Sequence, residues 1–266
     1  MYRVVVSWIP QFGGFVNGAI FGAGYSLRLI AHTILQIPAL GDRRSRAALL
    51  RQMFVCGIQP IPVTMVVTIF TGMILALNGG LSLESINQES LLGPVVAVSM
   101  FREMGPFMTA LILAASVGSA MAAEVGTMKV SEEIDALEVM SIDPARFLVL
   151  PRLLAMAIMT PALTMYVVIV GTLGGAVAAY YQYGVSFELF KSEALRYLEL
   201  KDVYTGLFKA FIFGIVIATV GCSHGLRARG GAIGVGQATR QTVVVSYLLI
   251  IVLGYYVTFL FFYVRW

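Results

Sequence analysis

Residues 53–77 read MFVCGIQPIPVTMVVTIFTGMILAL, without a single charged side chain. Hydrocarbon about 30 Å thick needs on the order of 20 apolar residues in a helix rising about 1.5 Å per residue. This stretch is therefore read as a membrane span, with lipid as its solvent. Four more runs repeat the pattern: 91–123, apolar except for Arg102 and Glu103; 153–181, uncharged; 204–226, broken only by Lys209 and His224; and 242–264, uncharged. The expected fold is an all-α integral membrane protein of five transmembrane helices. It forms a single domain over 1–266, with an N-terminal region 1–42 ahead of a core 43–264.

Composition supports this. Apolar residues make up 59% and charged residues 12%, against roughly 45–50% and about 25% in a soluble domain, and mean hydropathy is +0.87. The net charge of +4 is spread between apolar blocks, which argues against nucleic-acid binding. Cys56 and Cys222 are too few for a disulfide framework and are read as small buried hydrophobes.

Orientation follows from the basic residues, which cytoplasmic loops collect. Arg43, Arg44, Arg46 and Arg51 precede the first span. Lys129, Arg146 and Arg152 lie between the second and third, and Arg227, Arg229 and Arg240 between the fourth and fifth. These segments are assigned to the cytoplasm, and 78–90 and 182–203, the latter of mixed charge, to the outside. Residues 8–38 are glycine-rich at first and then carry Arg28 and His32. They match a secretory leader poorly and are read as a membrane-embedded interfacial helix with Trp8 and Tyr25 as headgroup anchors. A sixth span is the alternative.

Arg102 and Glu103 need a reason, because an ionisable group at mid-membrane costs about 2.5–3.5 kcal/mol on insertion scales. Adjacent helix residues point about 100° apart, so the two cannot neutralise each other side by side. Either the helix starts late, near Gly105 and Pro106, leaving the pair at the outer interface, or the pair faces a polar cavity or a neighbouring helix in a transport path.

The loop 124–152, EVGTMKVSEEIDALEVMSIDPARFLVLPR, is too polar for lipid yet patterned as a helix. Ser131 is placed as its cap, with Glu132 and Glu133 in the first turn where the helix dipole favours acid. Ile134, Leu137 and Met140 recur every three residues, with Glu133, Asp135 and Glu138 turned elsewhere; Asp143 and Pro144 stop it and open the next helix. An acidic helix suits a soluble partner better than an anionic bilayer surface. Residues 227–241, RARGGAIGVGQATRQ, contain no GxxxxGK[ST] pattern and are read as a flexible cytoplasmic turn. Gly118 with Ala122, and Gly171 with Gly175, permit close helix packing. There is no HExxH, no GxSxG and no paired intramembrane aspartates, and His32 and His224 lie far apart, so neither a catalytic set nor a metal site is expected.

Several of these stretches coincide with a family pattern. FREMGPFMTALILAA (101–115), AAEVGTMKVSEEIDALEVMSIDP (122–144) and Pro151–Arg152 follow in order the elements REMGP, AEIGTM, EIDALEVMG and DP; FTGMILAL (70–77) and GVGQAT (234–239) match too. Over roughly 43–264 the chain resembles the MlaE-type (YrbE-like) permeases of ABC transporters, which work with MCE proteins in lipid trafficking. The resemblance implies a homodimer whose subunits move phospholipid or a related amphiphile in the bacterial inner membrane. It implies no nucleotide site in this chain, ATP being used by a separate ATPase subunit. The helix at 131–142 would be the coupling helix, with Glu132, Glu133, Asp135, Leu137, Glu138 and Met140 at the ATPase. Arg102, Glu103 and Met104, with Phe70, Met73 and Leu77, would line the lipid cavity. An MCE-domain protein would sit outside, and a small STAS-domain protein is a further candidate partner. Many members carry arginine where this chain has Ser116, so that arginine's role does not transfer. The rival reading, a secondary transporter or channel for a small amphiphile, would want ionisable residues over several spans or an inverted repeat.

Overall fold

The computed structural model describes residues 22, 24–36 and 43–263. All regular structure among them is helical: α1 (24–35), α2 (Arg43–Gly57), α3 (Ile61–Glu84), α4 (Leu92–Ser99), α5 (Gly105–Leu113), α6 (Ser119–Val130), α7 (Glu133–Val139), α8 (Leu150–Tyr183), α9 (Phe187–Tyr197), α10 (Leu200–Leu226) and α11 (Gly231–Phe262). Five helical runs among the described residues are long and apolar enough to cross a membrane: Arg46–Glu84, Glu89–Val130, Ala145–Tyr183, Leu200–Leu226 and Gly231–Phe262. They coincide with the five expected spans, each with different ends.

The differences have local causes. Pro60 cannot donate a backbone hydrogen bond, so the first run breaks at Ile58–Pro60 and α3 starts afresh with proline in its first turn. The second run is helical from Glu89, which rules out a late start at Gly105. It is joined from α4, α5 and α6 by two π turns, Met100–Met104 and Ala114–Gly118. The stretch 227–241 is not a flexible turn. Only Arg227–Gly230 turns, Gly230 and Gly231 having positive φ, and α11 continues because Ala238 is buried and Val235 packs beside Gly126 of α6. Tertiary packing overrides glycine's weak helix propensity there. The stretch 182–203 contains α9, capped by the Ser186 hydroxyl accepting from Leu189 N–H, and it packs Phe190 and Ala194 onto α4.

α8 is central, with α3, α2 and α10 against it, and α10 in turn meets α6 and α11. Buried Thr64, Thr68, Gly72, Ala76 and Gly80 give α3 a face of small side chains. A Cβ on Gly72 would fall 1.8 Å from the Gly171 carbonyl oxygen of α8, so that crossing requires glycine. Buried Thr64, Thr109, Thr164 and Thr242 donate to carbonyls one turn back, satisfying their hydroxyls without water.

Of the expected helix 8–38, Trp8 and the rest of 8–21, with 23 and 37–38, lie outside the described residues. Leu29 of α1 packs with Ala145, Val149 and Cys222, and Ser26 donates to the Ser223 hydroxyl at 2.8 Å. Tyr25 lies under the Arg227 guanidinium, 5.5 Å away.

Candidate functional site

At one end of the bundle, Arg102 and Glu103 sit in the π turn Met100–Met104. Such turns rotate successive side chains differently from an α-helix and recur at functional sites. Each of the two finds its own partner on α10. Arg102 Nε and Nη2 donate to Asp202 Oδ1 at 2.8 and 2.6 Å, and Lys209 Nζ donates to Glu103 Oε1 at 2.6 Å. The Thr258 hydroxyl of α11 reaches the same Glu103 oxygen at 2.7 Å. Arg102 also stacks 4.1 Å above the Phe262 ring. Side chains of Asp202 and Lys209 are each 1% exposed, those of Arg102 and Glu103 35% and 38%. Two positive and two negative groups therefore form a balanced quartet, its α10 half enclosed and its π-turn half open.

The backbone explains why Lys209 belongs there. Pro106 has no N–H, so in the helical ladder the carbonyl four residues earlier, that of Arg102, loses its donor. Lys209 Nζ supplies one at 2.9 Å. Gly206, one turn before, lets α10 close in: a Cβ there would stand 2.2 Å from the Phe101 carbonyl oxygen. Asp202 does a second job, its Oδ2 accepting from Glu199 N–H in a capping box at the start of α10.

Phe70 and Leu77 lie elsewhere, on the outward face of α3, in an exposed row with Ile74 and Leu81. Met73 is half-buried on the same helix, and Met104, like Leu75 and Phe101, packs against the buried cluster that holds Met100 and Val168. The partners that complete the quartet, Asp202, Lys209 and Thr258, escape a reading of the sequence. The available signals were a lone lysine in the fourth apolar run and a proline four residues after Arg102.

The opposite end carries α7. It is shorter than the expected 131–142, and Ser131 does not cap it. Ser131 still closes α6, its N–H bonding Thr127 O at 2.9 Å, and the chain turns at Glu132, which adopts φ 59°. Ser141 adopts φ 59° at the other end, and the Ile142 N–H reaches back to Leu137 O at 2.9 Å, closing the helix in a left-handed cap. Asp143 Oδ1 then accepts from Ala145 N–H, as expected for the start of the next helix.

Between these turns Ile134 is buried with Val125 and Leu148, and Leu137 packs beside them. Met140 does not join that face, because the helix ends at Val139. Instead Val139 is 87% and Met140 61% exposed. Glu132, Glu133, Asp135 and Glu138 are exposed as well, Asp135 being held by Lys129 at 2.5 Å. The arrangement is a rooted helix presenting an apolar tip ringed by acids.

A left-handed conformation costs a non-glycine residue roughly 1 kcal/mol. Ser141→Gly is therefore expected to raise stability by about 0.5–1 kcal/mol, measured as a higher thermal midpoint of the purified protein; no change would mean that Ser141 is not held in this turn. Glycine is the residue that the related EIDALEVMG pattern has at this position.

Ser116, exposed in the second π turn, donates to the Ile112 carbonyl at 2.7 Å. Among the described residues no group of His, Cys, Asp and Glu is placed to hold a metal ion.

Comparisons with known proteins agree with one another. The family described as permease MlaE matches residues 49–260. A probable ABC transporter permease protein of Rickettsia typhi is 38% identical over 214 residues, covering 80% of this chain and 83% of its own. The intermembrane phospholipid transport system permease protein MlaE of Haemophilus influenzae is 33% identical over 256 residues, 96% of this chain and 97% of its own. The chloroplastic protein trigalactosyldiacylglycerol 1 of Arabidopsis thaliana is 32% identical over 239 residues, 90% of this chain and 68% of its own. With the five apolar helical runs, these matches make the chain a multi-pass membrane protein that belongs to the MlaE permease family of ABC transporter permeases.

Proposed function

We propose that this chain is the permease subunit through which an ATP-driven transporter moves phospholipid or a related amphiphile across or out of the bacterial inner membrane. A separate ATPase subunit hydrolyses the nucleotide and grips α7. Two copies of the chain enclose the lipid, and an MCE-domain protein receives or delivers it at the outer face. The observation that carries this reading is α7 itself. A short helix rooted by Ile134 leaves Val139 and Met140 bare, an apolar knob that suits a groove, while its acids ask for a basic rim.

The likeness to a phospholipid transport permease supports the cargo class. A route for lipid then runs past the open half of the quartet, where Arg102 and Glu103 offer a charged pair to a headgroup. Phe70, Met73 and Leu77 offer apolar surface to acyl chains. In this reading α1 lies in the cytoplasmic interface.

The test is reconstitution in vesicles carrying labelled phospholipid, with and without the co-expressed ATPase subunit. Lipid transfer that depends on ATP hydrolysis is the expected result. Transfer at the same rate without the ATPase would favour a secondary transporter instead, and failure of the ATPase to co-purify would remove the basis of the assignment.

A further inference from the structure

Where the second span ends and the third begins, Arg152 is almost enclosed, its side chain 9% exposed. Nη2 donates to Glu124 Oε2 of α6 at 3.0 Å, Nη1 donates to the Leu148 carbonyl at 2.9 Å, and Nε has no partner. That carbonyl belongs to a third π turn, Ala145–Val149. Glu124 is 57% exposed.

A buried guanidinium with one nitrogen unsatisfied is a poor way to gain stability, since an apolar pair of similar volume would do as well or better. An ionic link of this kind fixes geometry instead. Its position says which geometry. Glu124 and Arg152 stand 28 residues apart in sequence, on either side of the hairpin that carries α7. Within that hairpin α7 is already tied to α6 by Lys129 and Asp135 and to α8's lead-in by Ile134 on Leu148. Those ties fasten α7 to each span separately. The Glu124–Arg152 bridge instead joins the two spans to each other by an ion pair beneath it, beside the apolar contact of Val125 with Leu148.

We propose that Glu124 and Arg152 are a positioning pair for transport: they lock the cytoplasmic ends of the second and third spans together, so that force on α7 moves both as one lever. Without the bridge the hairpin flexes, and part of the stroke is lost between α7 and the lipid route. The inference rests on the reading of α7 as the ATPase's grip.

Glu124→Gln tests it, because residue 124 is exposed enough to lose its charge without emptying the core. Nitroxide labels on Thr127→Cys and Phe147→Cys, both exposed while native Cys56 and Cys222 are buried, report the spacing of the two span ends in lipid nanodiscs without the ATPase. A single narrow distance distribution is expected for the parent and a broadened one for Glu124→Gln. In the full complex the variant is expected to co-purify with the ATPase and hydrolyse ATP as the parent does, while the lipid moved per ATP falls about fivefold or more. An unbroadened distribution, unchanged lipid per ATP, or loss of the assembled complex would each overturn the proposal. Should the parent complex move no lipid with ATP, the functional reading fails instead, and the distance measurement still decides whether the pair holds the spans.

Discussion

Replacing Lys209 with methionine is expected to cost about 3 kcal/mol of stability, seen as a lower thermal midpoint of the purified protein in nanodiscs. The ammonium answers two demands at once: the carboxylate of Glu103 and the Arg102 carbonyl whose ladder donor Pro106 removes. Methionine fills the volume but leaves a carboxylate facing an apolar helix, with the Thr258 hydroxyl its one remaining hydrogen-bond partner among the described residues. Most of the loss is therefore the cost of an uncompensated charge. It follows that Lys209→Met combined with Glu103→Gln should recover more than half of the lost stability, a coupling that a double-mutant cycle measures directly. Equal destabilisation by the single and the double variant would mean that charge balance does not hold α10 against the π turn. If the open half of the quartet meets lipid, the double variant should fold and still transfer phospholipid poorly, which separates the two roles of Glu103.

The second large effect is expected at the opposite end. Val139→Asp with Met140→Asp should lower the affinity for the ATPase subunit about 100-fold or more, since buried apolar anchors at protein interfaces are worth roughly 1–2 kcal/mol or more each. Both side chains are exposed in the free chain, so its thermal midpoint should hardly move. Co-purification from membranes reads the first quantity and thermal unfolding the second. Glu138→Lys alters the acidic ring but not the knob and should weaken docking less, with greater sensitivity to salt. Ile134→Asp, in contrast, should destabilise the chain itself, because Ile134 is the buried root of α7. Undiminished capture by the Val139 and Met140 double variant would place the grip elsewhere.

These two ends differ in how much of them could be read beforehand. Around α7 the sequence is close to sufficient. The switch from apolar runs to acids at 132–138, a period near three and Asp143 with Pro144 locate a short helix between the second and third apolar runs, because the signals are local ones. What it missed is where that helix ends. Two left-handed residues, Glu132 and Ser141, shorten it, and the shortening turns Met140 from the buried face to the tip. Neither residue type announces that conformation.

At the quartet the position is reversed. Arg102 and Glu103 are conspicuous as charges in an apolar run, but their partners come from α10 and α11, roughly 100 and 155 residues further along. No local pattern contains a contact at that separation, and the π turn that lets two adjacent residues face the same helix is invisible to a 3.6-residue period.

Hydrophobicity alone determined that the described residues hold five runs long and apolar enough to cross a membrane, and such runs are helical because a helix closes its backbone hydrogen bonds within itself where lipid offers no partner. Local capping and charge marked the short acidic helix between the second and third runs. Only the tertiary structure decided which helix lies against which, where glycine lets backbones meet, and which distant ions balance one another. Those choices depend on close contact and mutual neutralisation in a medium without water, and such energies exist only between surfaces already brought together.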